Sequence, residues 1–153
     1  MENLKGKNYS ANNLGQRKKS DFYETPYSLT EHILDEEILY GSVLEPACGN
    51  GAIVKVFDKY NLAITFYDKE VDFLKEKRKF DSIITNPSFS LAYEFIQKAK
   101  EVSDNKIVLL LPLSYLHGKQ RLDNIWEDKN FPLKCIYVFL SLSNVRRKIK
   151  RRW

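Results

Sequence analysis

The sequence predicts an α/β protein with a mostly parallel sheet and helices on both of its faces. Short apolar runs typical of buried strands alternate with runs of helical spacing along the chain. A glycine-rich turn at residues 45–51 joins one such strand to one such helix. The chain has 153 residues, of which 43% are hydrophobic, so it is long enough to form about one domain with a substantial core.

The first helix is predicted to begin after Thr25-Pro26, because Thr25 can cap a helix and Pro26 fits its first turn. Gly41 would end this helix, whose apolar stripe consists of Leu29, Ile33, Leu34 and Ile38. The apolar run that follows, ending at Glu45, predicts the first strand. Open α/β sheets bind their ligands where such a strand turns into a helix.

A second strand is predicted over residues 63–68, and it ends in a carboxylate. Asp68 lies 17 residues after Gly51, close to the ~20 at which dinucleotide-binding folds place the acid that binds ribose hydroxyls. A turn residue or helix cap would also explain an aspartate here. Further strands are predicted at 81–85, 106–111 and 135–140, and further helices over 91–99 and around 122–126.

Both ends of the chain are basic, whereas residues 21–144, the predicted domain, carry net negative charge. Residues 1–20 are polar and show no apolar period, which predicts a disordered basic arm. Six of the nine residues at 145–153 are Arg or Lys, which predicts a basic tail. Such ends suit a phosphate backbone, and solvated tails that aid solubility have the same composition.

Several classes of protein are disfavoured by composition. No apolar run approaches the ~20 residues of a membrane span, and the first residues do not resemble a signal peptide. Cys48 and Cys135 are too few for a disulfide framework and fit a reducing compartment. The cysteines and histidines form no metal-ligand motif. We therefore expect a cytoplasmic protein with no membrane contact and no metal.

Two loops carry a resemblance to a known family. The turn Glu-Pro-Ala-Cys-Gly-Asn-Gly at 45–51 precedes the loop Asn-Pro-Ser-Phe at 86–89. This order resembles the S-adenosylmethionine-dependent N6-adenine DNA methyltransferases, whose signature is a Glu/Asp-Pro-x-x-Gly-x-Gly turn followed by Asn/Asp-Pro-Pro-Phe/Tyr. The resemblance covers residues 21–120 and implies a Rossmann-like methyltransferase fold. The family's sheet usually ends in a strand hairpin, whereas here one strand and a basic tail are predicted, so the carboxyl-terminal strands would be truncated.

The resemblance also implies residues that bind S-adenosylmethionine. Glu45, Pro46, Gly49 and Gly51 match the turn that cradles the methionine part, and Asp68 matches the acid on the ribose. Two further elements match those that hold the adenine and close over the methionine carboxylate: Asp72-Phe73 and Thr25-Pro26, respectively.

The loop at 86–89 implies the chemistry. The Asn86 side-chain carbonyl and the Pro87 backbone carbonyl would accept hydrogen bonds from the target amine and stabilise the positive charge that develops on it. Phe89 would stack on a base flipped out of the helix. Ser88, which would face the nucleic acid, replaces the family's second proline, so the loop is less rigid and activity could be reduced or lost.

No recognition domain fits into this chain, so the basic tail would grip phosphates instead, through Arg146, Arg147, Lys148, Arg151 and Arg152. The expected function is methyl transfer to adenine in DNA. Two alternatives stay open: a ribosomal RNA amino-methyltransferase, and a non-catalytic, truncated subunit that binds nucleic acid. The oligomeric state is undetermined, and a partner subunit is possible.

Overall fold

The computed structural model describes residues 24–67, 70–139 and the backbone of 146–150. Its helices are α1 (Tyr27–Glu36), α2 (Ala52–Lys59), α3 (Ala92–Val102) and the short α4 (Lys119–Arg121), which continues as a π-helical turn over Leu122–Trp126. Single 3₁₀ turns span Phe73–Lys75 and Leu113–Leu116. The strands are β1 (Val43–Glu45), β2 (Thr65–Phe66), β3 (Phe80–Thr85), β4 (Ser103–Leu109), β5 (Cys135–Phe139) and β6 (Arg146–Lys150).

Strands β1 to β4 form one parallel sheet in the order β2-β1-β3-β4. Leu44 of β1 lies beside Thr65 of β2 and Ile83 of β3, and Ile83 pairs with Ile107 of β4. After β1 the chain moves outward to β2 and then returns to the other side of β1 to form β3. The strand order therefore reverses between β1 and β3, an arrangement compatible with a Rossmann-like fold.

Helices cover both faces of this sheet, as predicted. Leu44 and Ile83 pack against α3 and the turn at Phe73–Lys75, in a cluster that includes Phe73, Ala99 and Val102. Their sequence neighbours Val43 and Ile84 point to the opposite face and pack against α1 and α2, in a cluster that includes Ile33, Leu34 and Phe57. Because successive side chains of a strand face opposite sides, two adjacent apolar residues supply both halves of the core.

The start and the end of α1 differ from the prediction. Pro26 is the N-cap residue, no side-chain cap hydrogen bond is formed, and the Thr25 hydroxyl instead contacts Asn86. The helix ends at Glu36, because Glu37 is already extended. The expected Thr25 cap was therefore wrong: a tertiary contact takes the hydroxyl that the local pattern assigned to the helix.

The carboxyl-terminal part of the chain also differs. Strand β6 pairs antiparallel with β5, from Phe139 beside Arg146 to Cys135 beside Lys150, in a two-stranded sheet of its own. The prediction of a single strand followed by a basic tail over 145–153 was therefore wrong for residues 146–150. Backbone hydrogen bonds to β5 form regardless of side-chain charge, and a lysine- and arginine-rich strand suits an edge position.

Strand β5 contacts α1. The His32 ring makes edge contacts with Tyr137 and Phe139 at centroid distances of 5.7 and 5.6 Å, and the Tyr137 hydroxyl donates to Glu37. Glu37 also pairs with Lys106 of β4 at 2.9 Å. None of the helices in the described part of the chain has the length and hydrophobicity that a membrane span requires.

Candidate functional site

The candidate site lies at the carboxyl ends of β1 and β3, where the strand order reverses. The turn at 45–51 leaves β1, and the loop at 86–89 leaves β3, so the two motifs singled out in the sequence meet. A cavity of about 400 Å³ opens between them. Thr25, Tyr67 and Phe95 are among the other residues that line it. This volume is in the range of small-molecule sites, and the position is the one at which open α/β sheets bind ligands.

The turn after β1 brings its backbone to the cavity. Gly49 has φ +54° and Gly51 has φ +76°, which only glycine adopts without strain. The Gly51 amide donates to the Cys48 carbonyl at 2.7 Å, and the Cys48 amide donates to the Tyr67 carbonyl at 3.2 Å. Gly49 lines the cavity, whereas Gly51 is the N-cap residue of α2 and is not part of the cavity wall.

Glu45 lies at the end of β1 with no exposed surface, and it lines the cavity. One carboxylate oxygen, Oε1, accepts hydrogen bonds from the Ala47 amide at 2.8 Å and the Thr85 hydroxyl at 2.6 Å. The other, Oε2, has no hydrogen-bond partner among the described residues. Burial raises the pKa of Glu45 to about 7, although both hydrogen bonds to Oε1 lower it. A hydrogen-bond donor or a cation in the cavity would give Oε2 a partner.

Asn86 and Pro87 follow β3 directly and line the opposite wall. Pro87 is fully buried, and Asn86 is half-buried with its Nδ2 donating to Thr25 Oγ1 at 3.1 Å. The Leu110 amide donates to the Thr85 carbonyl at 3.0 Å, which fixes the end of β3 against the end of β4. The strand end that carries Asn86 is therefore held on both sides.

The remaining loop residues divide between the cavity and its surroundings. Ser88 lines the cavity, its hydroxyl lies 2.8 Å from that of Ser90, and its carbonyl accepts from the Leu91 amide at 3.1 Å. These bonds give the loop a defined shape although the family's second proline is missing. Phe89 is half-buried and is not part of the cavity wall.

The end of β2 contributes a residue that the sequence analysis did not single out. Tyr67 is 5% exposed and lines the cavity, and its hydroxyl donates to Glu76 and accepts from Arg78. The hydrogen bond from Arg78 holds the pKa of Glu76 well below its usual range. Burial raises the pKa of Tyr67. The neighbouring residue Asp68, predicted to bind ribose, lies outside the described residues.

Three other predicted cofactor residues lie away from the cavity wall. Phe73 is buried in the core against Phe95, with ring centroids 5.1 Å apart. Asp72 is exposed and caps the turn that follows it, accepting from the Leu74 amide at 3.1 Å. Pro26 begins α1. The structure therefore groups Thr25, Glu45, Pro46, Gly49, Asn86 and Pro87 around one cavity and does not bring Pro26, Asp72 or Phe73 to it.

The predicted nucleic-acid contacts are placed only in part. Strand β6 contains Arg146, Arg147 and Lys148, for which the structure describes the backbone. The described residues do not include Arg151, Arg152 or the arm at 1–20. Over the described part of the chain, no three His, Cys, Asp or Glu side chains are grouped so that they could hold a metal ion.

The cavity thus combines a buried carboxylate with one unpartnered oxygen, a glycine turn with its backbone exposed, and an amide held at the end of the neighbouring strand. Neither a protein-family model nor a curated protein matches this sequence.

Proposed function

We propose that this chain is an S-adenosylmethionine-dependent amino-methyltransferase that acts on the exocyclic amine of adenine in DNA. One observation carries the proposal. The glycine turn after β1 and the Asn86-Pro87 loop after β3 begin 41 positions apart in sequence and line the same cavity, at the point where the strand order reverses. A cofactor turn and an amine-binding loop must meet in this way if a methyl group is to pass between them.

Several residues fit the cofactor. The unpartnered Oε2 of Glu45 suits the ammonium group of the methionine part, because a buried carboxylate needs a cation or a donor. Gly49, without a Cβ, lets the backbone approach the ligand closely. When bound, the cofactor supplies a methyl carbon whose bond to a positively charged sulfur breaks on nucleophilic attack, the electron pair staying on sulfur.

The chain's own residues would act on the amine. Its lone pair is delocalised into the base, and two acceptors aimed at its hydrogens favour a geometry in which the lone pair can attack. The Asn86 side-chain carbonyl and the Pro87 backbone carbonyl are these acceptors. As the new nitrogen–carbon bond forms, nitrogen becomes positive, and both carbonyl dipoles stabilise that charge. The nitrogen then loses a proton to solvent. No general base is needed in this scheme.

A second candidate is a non-catalytic subunit that binds the cofactor and nucleic acid. Ser88 at the position of the family's second proline favours it, as does the high density of Arg and Lys at 146–152. The hydrogen bonds of Ser88 to the Leu91 amide and with the Ser90 hydroxyl favour the catalytic alternative, because they restrain the loop that proline would otherwise stiffen.

The test is transfer of labelled methyl from S-adenosylmethionine to duplex DNA, single-stranded DNA and ribosomal RNA in parallel, with cofactor binding measured by calorimetry on the same sample. Label in DNA adenine is the expected result. Label in RNA alone would identify RNA, and not DNA, as the substrate. Cofactor binding without transfer to any of the three nucleic acids would favour the non-catalytic subunit.

A matched pair of variants makes the cofactor assignment specific. Glu45→Gln keeps the size and the buried position of the side chain but cannot carry the charge that an ammonium group needs. We expect it to weaken cofactor binding by at least about tenfold, in line with the ~1.5–3 kcal/mol of a charged hydrogen bond. Glu31→Gln, in an ion pair with Lys59 that does not line the cavity, should leave binding unchanged.

A further inference from the structure

The hydrogen bond between Thr25 and Asn86 joins residues 61 positions apart. Asn86 Nδ2 donates to Thr25 Oγ1 at 3.1 Å, and Thr25 is only 8% exposed. Both residues line the cavity. A buried, tertiary contact to the amide that would bind the target amine is more than a local turn contact, because it connects the segment before α1 to the end of β3.

An asparagine amide has two faces of opposite character. Oδ1 accepts hydrogen bonds, Nδ2 donates them, and a half-turn about the side-chain bond exchanges the two. Only the orientation that presents Oδ1 to the target amine can help the reaction, since Nδ2 would repel an amine that is becoming positive. Oδ1 and Nδ2 branch from one carbon in different directions, so a group that holds Nδ2 also decides the direction of Oδ1.

We propose that Thr25 is a positioning residue that holds the Asn86 amide with Nδ2 toward the Thr25 hydroxyl and so sets the direction in which Oδ1 meets the target amine. The proposal rests on the proposed function. It assigns Thr25 a role that the resemblance to the family did not give, since there it was expected to contact the cofactor.

Contact with the cofactor and positioning of Asn86 are compatible roles for Thr25, and each supports the other. A threonine hydroxyl has one proton to donate and can accept at the same time. If its proton is given to an anionic group in the cavity, such as the methionine carboxylate, the oxygen can only accept from Asn86. The amide is then held in the productive orientation when the cofactor site is filled. Thr25 thus links cofactor binding to the arrangement of the loop that binds the amine.

Thr25→Val and Thr25→Ser are the matched pair of variants. Valine keeps the shape and removes the hydroxyl, whereas serine keeps the hydroxyl. At saturating cofactor we expect Thr25→Val to lower kcat by about ten- to a hundredfold, the scale of loss for a misplaced catalytic group, and Thr25→Ser to restore most of it. A Thr25→Val enzyme with raised cofactor Kd but wild-type kcat at saturation would overturn the proposal, because Thr25 would then be a cofactor contact alone.

A readout without turnover separates this proposal from the proposed function. The side-chain amide signals of Asn86 in a nitrogen-15 spectrum are assigned by their loss in Asn86→Ala. We expect them to shift in Thr25→Val and to stay in place in Thr25→Ser, while the signals of Asn105 on β4 stay unchanged in both. Unshifted Asn86 signals in an active Thr25→Val protein would overturn the Thr25 proposal alone. Shifted signals in a chain whose wild type transfers no methyl would overturn the proposed function, and with it the catalytic purpose of the contact.

Discussion

Among single residues, Glu45 has an environment with consequences for stability and for the proposed cofactor binding. Its carboxyl group is wholly buried, and desolvation raises its pKa to about 7. An unfolded chain holds this group at its ordinary value of 4.5. Between these two values the folded protein keeps a proton that the unfolded chain has already released, so the folded state loses relative stability as the pH rises.

The first prediction concerns this dependence. In the absence of cofactor, the free energy of unfolding should fall by about 3 kcal/mol in total between pH 4.5 and pH 7 because of Glu45, at ~1.4 kcal/mol per pKa unit. The contribution is fully present below pH 4.5 and is lost as the pH rises through 7. Urea unfolding at pH 5 and pH 8 measures it. Glu45→Gln should remove this part of the slope, and an identical slope in the variant would contradict the assignment.

In the proposed mechanism, Asn86 is the residue on which methyl transfer depends. Asn86→Ala removes one of two acceptors for the amine, so kcat for methyl transfer should fall by about a hundredfold or more, the scale seen when one transition-state hydrogen bond is lost. Cofactor Kd should change by less than about twofold, because the cofactor's ammonium is assigned to Glu45. Steady-state kinetics and calorimetry measure the two quantities. Asn105→Ala, on the exposed part of β4, is the control, and full activity of Asn86→Ala would exclude the mechanism.

At the scale of elements, the turn after β1 and the loop after β3 are built differently. The turn depends on backbone conformation, because Gly49 and Gly51 both have positive φ. The loop depends on hydrogen bonds: Thr85 is tied to Glu45 and to Leu110, and Asn86 is tied to Thr25. Glycine substitutions should therefore act through strain, and substitutions in the loop should act through orientation.

Gly41 and Gly51 form a matched pair that separates backbone strain from steric contact, since both have positive φ. A Cβ at Gly51 meets no atom within 4 Å, so Gly51→Ala should cost only the ~1–2 kcal/mol of left-handed strain. A Cβ at Gly41 would lie 2.1 Å from Asp81 Oδ2, which accepts from the Ser42 amide and hydroxyl at 2.7 and 2.8 Å.

Gly41→Ala must therefore displace the Asp81 carboxylate in addition to straining the backbone. We expect it to lower the midpoint of urea unfolding further than Gly51→Ala does, with both variants measured under the same conditions. Equal midpoints would show that the contact to Asp81 is relieved without loss of its hydrogen bonds.

At the scale of the whole molecule, residues 21–144 carry net negative charge and both ends of the chain are basic. Part of the basic carboxyl-terminal segment also forms strand β6, which pairs with β5. Deleting 145–153 would remove a strand together with its charge, because β5 would lose its hydrogen-bonded partner. A deletion therefore cannot isolate the electrostatic contribution of this segment. Arg151 and Arg152 follow the last paired residue, so substitutions there change charge and leave the backbone pairing of β6 intact.

The prediction for Arg151→Gln/Arg152→Gln follows from counterion release. If both residues neutralise phosphates of duplex DNA, the slope of log affinity against log salt concentration should become shallower by about 1.8, at ~0.9 for each phosphate. Fluorescence titrations of a duplex between low and physiological salt measure the slope. Lys55→Gln/Lys59→Gln on α2 changes the charge by the same amount and serves as the control. If the slope is the same in wild type and in the Arg151/Arg152 variant, these two arginines do not contact phosphates and are solvated.

The sequence predicted most of the fold because hydrophobic spacing is local. The strand at 43–45, the helix that starts at Ala52 and the strand that ends at Thr85 were confirmed. Strand β6 was missed because its residues are mainly basic, and its partner is chosen by backbone pairing rather than by an apolar pattern. Tyr67 was missed because a tyrosine at the end of a strand can pack in the core, lie at the surface or line a site, and the sequence does not distinguish these. Only the fold shows that Tyr67 lines the cavity.

By itself, the sequence determined the alternation of strands and helices, the glycine turn, and the amide and proline at the end of β3, because spacing and residue type are properties of short segments. Only the tertiary structure decided which of these residues meet. Glu45 contacts Thr85 across 40 positions, which requires the strand order that sets β1 beside β3. Asn86 contacts Thr25 across 61 positions, which requires the segment before α1 to lie against the end of β3. Local patterns carry no information about that order, since it depends on how the whole chain buries both faces of one sheet.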